Sequence, residues 1–212
     1  MSQDTNQKNS SEEEMEPEES PSEEEEEELV TTAVVRIPKD RIAVLIGKKG
    51  KTKRMIEELT GTKITVDSES GEVTIESTTE TSDPLAVWKA KNIVTAIGRG
   101  FSPERALALL EDDKVLEIID LSEFSSGSKS DLRRIKGRII GEKGKTRRII
   151  EETTGVYVSV YGKTVALIGD YEWLGVARRA IMMLIEGSPH GTVYKYLYRM
   201  RSDYKRRLRS WI

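Results

Sequence analysis

The chain has 212 residues, no cysteine, a single histidine and a formal net charge of −3. The missing cysteines exclude a disulfide framework and a thiolate zinc site, and a lone His190 argues against a histidine-based metal or nucleophile–base centre. No apolar run reaches the ~20 residues that span a bilayer, and the first ten residues lack the charged and apolar regions of a secretory signal, so a soluble, cytoplasmic protein is expected.

Charge is divided unevenly. Residues 1–29 hold thirteen acids and one lysine, a net of −12, which leaves +9 on the remainder. That first segment is Ser, Glu and Pro with almost nothing apolar, so it cannot offset its conformational entropy by burial and is expected to be disordered. An acidic tail on a basic body is the pattern of a protein that binds a polyanion.

Order is predicted to begin near Val30. Residues 33–37 read as a strand ended by Pro38, and Asp40 is placed to cap a short helix bearing Ile42, Leu45 and Ile46 at helical spacing. Gly47-Lys48-Lys49-Gly50 interrupts that helix. A second one from Lys51 turns Met55, Ile56 and Leu59 inward until Gly61 stops it. Ile64 and Val66, then Val73 and Ile75, alternate with polar neighbours and predict two strands around the turn 68–72. A helix over 84–97 offers Leu85, Trp88, Ile93, Val94 and Ile97 to the core.

Gly98 and Gly100 open a connection, and Ser102-Pro103 starts a short helix to Leu110, expected to pack between two modules. A strand over 115–121, a Ser/Gly-rich loop over 125–130 and a helix over 132–140 lead to Gly141-Glu142-Lys143-Gly144. A helix over 145–154 follows, then strands marked by Val156, Val158 and Val160 and by Val165 and Leu167. A helix over 171–185 buries Trp173, Val176, Ala177, Ala180, Ile181 and Leu184. Finally Val193, Leu197, Met200, Tyr204, Leu208 and Trp211 recur at three- and four-residue steps, an amphipathic helix within a segment, 188–212, of net charge +6. The expected division is a tail over 1–29, a module over 30–98, a helical linker over 99–112, a second module over 113–187 and a basic helix over 188–212.

The two modules are copies. The sixteen residues from Ile46 to Gly61 recur ninety-four positions later, from Ile140 to Gly155, with twelve identical. Each copy sits in the order β-α-α-β-β-α, an α+β arrangement. Two glycines let a backbone turn sharply and approach a ligand with no Cβ in the way. The helix that follows points its unpaired N–H groups and positive dipole end at whatever lies there, which suits phosphate. A nucleotide-hydrolysing P-loop is a poor fit, because its earlier glycine is replaced by Leu45 and Ile139 and a helix, not a strand, leads in.

Strand, helix, Ile-Gly-x-x-Gly and helix resemble the KH domain, whose Gly-x-x-Gly loop clamps single-stranded RNA. The β-α-α-β-β-α order resembles its type I form, which implies an antiparallel sheet and a base-binding groove between the two short helices and the first hairpin strand. The RNA-binding residues so implied are Gly47, Lys48, Lys49, Gly50, Lys51 and Arg54 in the first module. In the second they are Lys136, Arg138, Ile140, Gly141, Glu142, Lys143, Gly144, Lys145, Arg147, Arg148 and Tyr157. Lys51 and Lys145 rank first, because Met55 and Ile149 stand where a helical ion-pair partner would be. Lys53, Arg54, Arg147 and Arg148 have Glu57, Glu58, Glu151 and Glu152 four residues on and can form ordinary helix-face pairs. Glu142 opposes phosphate. The loop regions 36–54 and 129–148 both total +7, so charge does not rank the modules. The hairpins differ: the first is acidic from Asp67 to Glu72, whereas the second is tight, with Tyr157 and Tyr161 available to stack on bases or to pack on the surface. That difference favours the second module as the main reader.

The second module, RRIKGRIIGEKGKTRRIIEETTGVYVSVYGKTVALIG, and the following GSPHGTVYKYLYRMR are similar to the archaeal relatives of the Dim-two, or partner-of-Nob, family of ribosome-assembly factors. The likeness covers about residues 30–207. It implies a non-catalytic factor, without cofactor or metal, that binds the 3′ region of small-subunit ribosomal RNA during maturation. It also implies contact with the Nob endonuclease and with the alpha subunit of archaeal initiation factor two. A general single-stranded RNA-binder in RNA decay or translation control is the alternative. The long Glu-rich start departs from the short archaeal form, and its role is either solubilising or that of a competitor displaced by RNA. His190 falls in a connecting turn with a structural role.

Overall fold

The computed structural model describes residues 31–78, 83–125 and 127–209. The acidic tail, Val30 and Trp211 lie outside them. Two units of order β-α-α-β-β-α follow one another. The first comprises β1 (Thr32–Arg36), α1 (Lys39–Ile46), α2 (Lys51–Thr60), β2 (Thr62–Val66), β3 (Glu72–Ser77) and α3 (Ala86–Gly98). A short α4 (Pro103–Ala106) and a 3-10 turn (Leu107–Leu110) lead to the second unit: β4 (Lys114–Asp120), α5 (Lys129–Ile140), α6 (Lys145–Thr154), β5 (Tyr157–Tyr161), β6 (Thr164–Asp170) and α7 (Tyr171–Ile185). A long α8 (His190–Arg209) ends the described chain.

Each unit holds a three-stranded antiparallel sheet, ordered β1-β3-β2 and β4-β6-β5. Strand alternation places Val73 and Ile75 on the inner face of the first sheet, and Val165 and Leu167 on that of the second, all fully buried. Helices cover those faces: Leu45, Ile56, Ile93 and Ile97 in the first unit, Ile139, Ile150, Ile181 and Leu184 in the second.

The outer faces differ. In β6 every residue from Thr164 to Gly169 is buried, because Ala166 and Ile168 face away from their own core and join the first unit's. Phe101, Ala106 and Leu109 of the connection pack against them. The linker therefore glues one module to the back of the other's sheet, as the sequence places it.

Several residues take other places than their spacing predicts. Asp40 does not cap α1, whose N-cap is Pro38 without a side-chain bond; its carboxylate accepts a hydrogen bond from Tyr161 of the second unit. Leu59 is 54% exposed, because Thr60, a full turn after Ile56, is the next inward residue and its hydroxyl bonds the Ile56 carbonyl at 2.7 Å. Leu85 and Trp88 are each 53% exposed, since the buried stripe of α3 runs through Ala86, Ala90, Ile93 and Ile97 and passes them by. Trp173 and Val176 are only half-buried, and Leu208 is exposed.

Candidate nucleic-acid interface

Both Gly-x-x-Gly segments adopt one geometry. Gly47 has φ 70°, ψ 176°, Lys49 φ 54°, ψ 31° and Gly50 φ 77°, ψ 11°. The matching values are 72° and 175° for Gly141, 48° and 31° for Lys143, and 77° and 13° for Gly144. Lys49 and Lys143 are the only non-glycine residues at positive φ among those described, a conformation that costs about 1–2 kcal/mol. The loop carries its own compensation. The Arg54 guanidinium donates to the carbonyl of Lys49, and Arg148 donates to that of Lys143 at 3.5 Å, so each arginine holds the strained residue from behind.

The first glycine of each loop has a further reason to be glycine. A Cβ at Gly47 would stand 2.2 Å from the Thr52 hydroxyl oxygen, and one at Gly141 2.2 Å from that of Thr146. The Lys-Thr pair after each loop thus has two tasks. The threonine tucks under the loop, and the exposed lysine stands on the first turn of α2 or α6. Among the described residues, the side chains of Lys48, Lys49, Lys51, Lys143 and Lys145 have no hydrogen-bond or ion-pair partner, whereas Lys53 pairs with Glu57 at 2.7 Å. Glu142, exposed at the tip, is the only acid in either loop.

Other predicted residues are occupied elsewhere. Arg138 donates to the carbonyls of Leu184 at 2.9 Å and Ser188 at 2.5 Å, pinning the end of α7. Arg41 does the same in the first unit, to Ile97 at 2.8 Å and Phe101 at 2.5 Å. Lys136 donates to the Gly162 carbonyl of the hairpin turn at 3.0 Å, and Ile140 is half-buried. Arg147 is exposed and does not pair with Glu151, whose carboxylate is taken by Arg105 at 2.8 Å and the Val158 N–H at 2.9 Å.

The tyrosines change meaning. Arg105, from the linker, lies over the Tyr157 ring with its guanidinium carbon 5.0 Å from the centroid. Tyr161 lies under Arg41, 5.7 Å from its centroid, and its hydroxyl donates to Asp40. Ser159 donates to the Arg99 carbonyl at 2.8 Å, and Gly100 leaves room where a Cβ would stand 2.7 Å from that of Tyr161. The second hairpin is therefore the joint between the modules. Arg105 and Arg41 each take one face of these rings, and Tyr157 stays 38% exposed.

Sequence reasoning missed the Thr52/Thr146 support, though both threonines are identical in the repeat. It also missed Tyr194, whose hydroxyl meets that of Thr146 at 2.9 Å. With Arg134, Gly141, Lys145 and His190, Tyr194 lines an open cleft of about 400 Å³ beside the second loop. His190 bonds the Arg138 carbonyl at 3.0 Å.

Two family models match the chain: a KH domain over residues 32–96, and a eukaryotic type KH-domain, of KH-domain type I, over residues 115–202. A KH domain-containing protein of Methanocaldococcus jannaschii is 51% identical over 179 residues, 84% of this chain and 78% of that protein. The pre-rRNA-processing protein pno1 of Aspergillus fumigatus is 31% identical over 180 residues, 84% of this chain and 71% of its own. Among solved structures, Dim2p from Pyrococcus horikoshii is similar with a TM-score of 0.76 and 62% identity, covering 80% of this chain and 99% of that one. A chain from the a/eIF2alpha–aDim2p–rRNA complex of the same organism gives a TM-score of 0.80 and 60% identity, covering 84% and 98%.

Proposed function

The chain belongs to the KH-domain family that contains Dim2p and the Pno1 pre-rRNA-processing proteins, and from this we propose that it is a non-catalytic, RNA-binding ribosome-assembly factor. Its RNA is the 3′ region of small-subunit ribosomal RNA or its precursor, held as a single strand by both modules. The observation that carries this reading is the pair of loops, alike in backbone torsions, each followed by a lysine with no partner among the described residues. A backbone strand can approach the glycines closely, and the lysines and helix N-termini neutralise its phosphates. The contacts of Tyr161 with Asp40 and Arg41, and of Arg105 with Tyr157, tie the two modules together, so binding RNA does not have to order the linker afresh.

The RNA-contacting set proposed is Gly47, Lys48, Lys49, Gly50 and Lys51 with Gly141, Lys143, Gly144, Lys145 and Arg147. Arg54, Arg148, Arg138 and Lys136 act by holding the loop, the end of α7 and the hairpin in place. An a/eIF2alpha-type subunit is a proposed protein partner, supported by the complex in which the Pyrococcus relative was solved. A Nob-type endonuclease is proposed on the family likeness alone, and co-purification with the purified nuclease tests it.

The direct test replaces the two central residues of one loop at a time by Asp-Asp and follows RNA binding by fluorescence anisotropy across salt concentrations. Each replacement is expected to weaken binding to a 3′ small-subunit RNA fragment by at least about tenfold. The slope of log K against log salt should become shallower by roughly 0.7 for each phosphate that is no longer neutralised. Unchanged affinity in both variants refutes the reading, as does equal affinity for an unrelated single strand of the same length.

A further inference from the structure

The cleft beside the second loop is separate from the groove between the two short helices and the hairpin. Arg134, Gly137, Arg138 and Gly141 line it, and they recur at three- and four-residue steps, one stripe of α5 and its end. Lys136 lies on the opposite stripe, where it donates to the hairpin at Gly162. The cleft thus opens on the α8 side, and Gly141 and Glu142 of the loop form part of its wall.

The far wall is α8, which supplies His190 and Tyr194. It covers Thr146 down to 1% exposure, whereas Thr52, in the matching place of the first module, is half-buried. The first unit is followed by α4 and the linker turn, not by a helix of this kind.

Two lining residues serve nothing within the described protein. Gly137 sits inside α5, where glycine is less favourable than alanine. Its φ is not positive, and a Cβ there would meet nothing within 4 Å. The missing side chain leaves an open floor. Glu142 is exposed and has no hydrogen-bond or ion-pair partner among the described residues. The first loop has Lys48 in its place, the residue type that suits phosphate.

The other polar groups of the cleft are held. Arg134 pairs with Asp131 at 2.7 Å, and Arg138 donates to the carbonyls of Leu184 and Ser188. His190 bonds the Arg138 carbonyl at 3.0 Å and Tyr194 the Thr146 hydroxyl at 2.9 Å, so both rings are fixed in the wall. Lys145 is left as the unpaired cation and Glu142 as the unpaired acid. One cation, one carboxylate, two rings and a bare floor share about 400 Å³, the size of a small-ligand site.

That set fits a nucleotide. Lys145 takes the phosphate, the rings flank the base, and the carboxylate reads its edge. A carboxylate offers two acceptors and no donor. Among the four bases, guanine places two donors side by side on its pairing edge, the ring N–H and the amino group. Adenine and cytosine put an acceptor beside their amine, and uracil flanks its single N–H with carbonyls.

Building on the RNA-binding function above, we propose that this cleft is a subsite for one guanine nucleotide of the bound strand, with Glu142 as its specificity-determining residue. The loop wall is common to groove and cleft, so a strand crossing the second loop brings its next base over Gly137.

Fluorescence anisotropy of the full chain tests this, on a 3′ small-subunit RNA fragment varied through all four bases at each position in turn. At one position bordering the second loop's footprint, guanine should bind at least about fivefold more tightly than adenine. Glu142→Gln should abolish that preference. Gly137→Leu should abolish it too while raising the urea midpoint, because leucine favours the helix that glycine weakens, so the loss is not one of fold. 6-Thioguanosine at that position should photocrosslink to His190 or Tyr194. An acid that only repels the backbone gives a different result: Glu142→Gln then tightens every RNA alike and leaves base preference intact, which overturns the proposal. Crosslinking to residues 157–161 overturns it as well, as does free guanosine monophosphate binding as tightly as the fragment. A parent chain that binds no fragment refutes RNA binding itself, whereas tight binding with no Glu142-dependent guanine preference refutes the subsite alone.

Discussion

Replacing the first glycine of the second loop separates what the protein needs from what RNA needs. Gly141 sits at φ 72°, ψ 175°, a region essentially reserved for glycine, where another residue stores about 1–3 kcal/mol of strain. An alanine Cβ there would also stand 2.2 Å from the Thr146 hydroxyl and 2.8 Å from the Thr146 backbone nitrogen. A hydroxyl can rotate away, but the nitrogen belongs to the first turn of α6, so overpacking adds about 1–3 kcal/mol. The stiffer unfolded chain returns about 0.4–1 kcal/mol. Gly141→Ala should therefore cost about 2–5 kcal/mol in the absence of any RNA. Gly144, at φ 77°, ψ 13° with nothing within 4 Å of its absent Cβ, bears only the left-handed penalty. Gly144→Ala should cost about 1 kcal/mol or less after the same offset. Urea denaturation followed by tryptophan emission reads this directly, since Trp173 is half-buried against Tyr204 in the same module. With a slope of about 2 kcal/mol per molar urea, Gly141→Ala should lower the midpoint by roughly 1–2.5 M and Gly144→Ala by roughly 0.5 M or less. Equal midpoints for the two variants refute the reasoning and leave both glycines explained by RNA approach alone.

Arg138→Met should cost about 2–3 kcal/mol in RNA-free melts, because it strands the Leu184 and Ser188 carbonyls; RNA affinity lost with no change in stability sinks this assignment. Leu109→Ala should destabilise by about 2–5 kcal/mol and open the linker to proteolysis, since Leu109 is 3% exposed between the modules; an unchanged cleavage rate counts against the joint. Tyr161 has its phenol pKa raised, first by the hydrogen bond to Asp40 and then by burial. The protonated phenol is favoured in the fold, so its contribution is complete below about pH 10 and is lost as pH climbs through the folded value. An alkaline absorbance titration of the parent minus Tyr161→Phe should show ionisation later than that of a free tyrosine; ionisation at or below the ordinary value refutes the contact.

The repeat, the element order and the two loops were legible because each rests on local chemistry. Gly61 and Gly155 stop their helices at positive φ, as their position after an amphipathic run requires. Pro103 opens α4 at its first turn. Errors came where side chains choose between local and distant partners. Arg54 could reach Glu58 by helical spacing, yet bonds the loop carbonyl behind it. Asp40 stands where a cap belongs, yet bonds Tyr161, which lies 121 residues away. Leu59, Leu85 and Trp88 look like core residues in any apolar count, and only the phase of Ile56–Thr60 and of Ala86–Ile97 turns them outward.

The sequence by itself determined that two copies of one backbone clamp exist, because glycine at positive φ followed by a cationic helix start is a property of consecutive residues. Tertiary structure decided which cations stay available. It turned Arg138 and Lys136 into struts, Arg54 and Arg148 into supports of the loop, and the second hairpin's tyrosines into a joint. The physical reason is that a charge or ring goes to whichever partner the fold brings within reach, and no spacing along the chain records that distance.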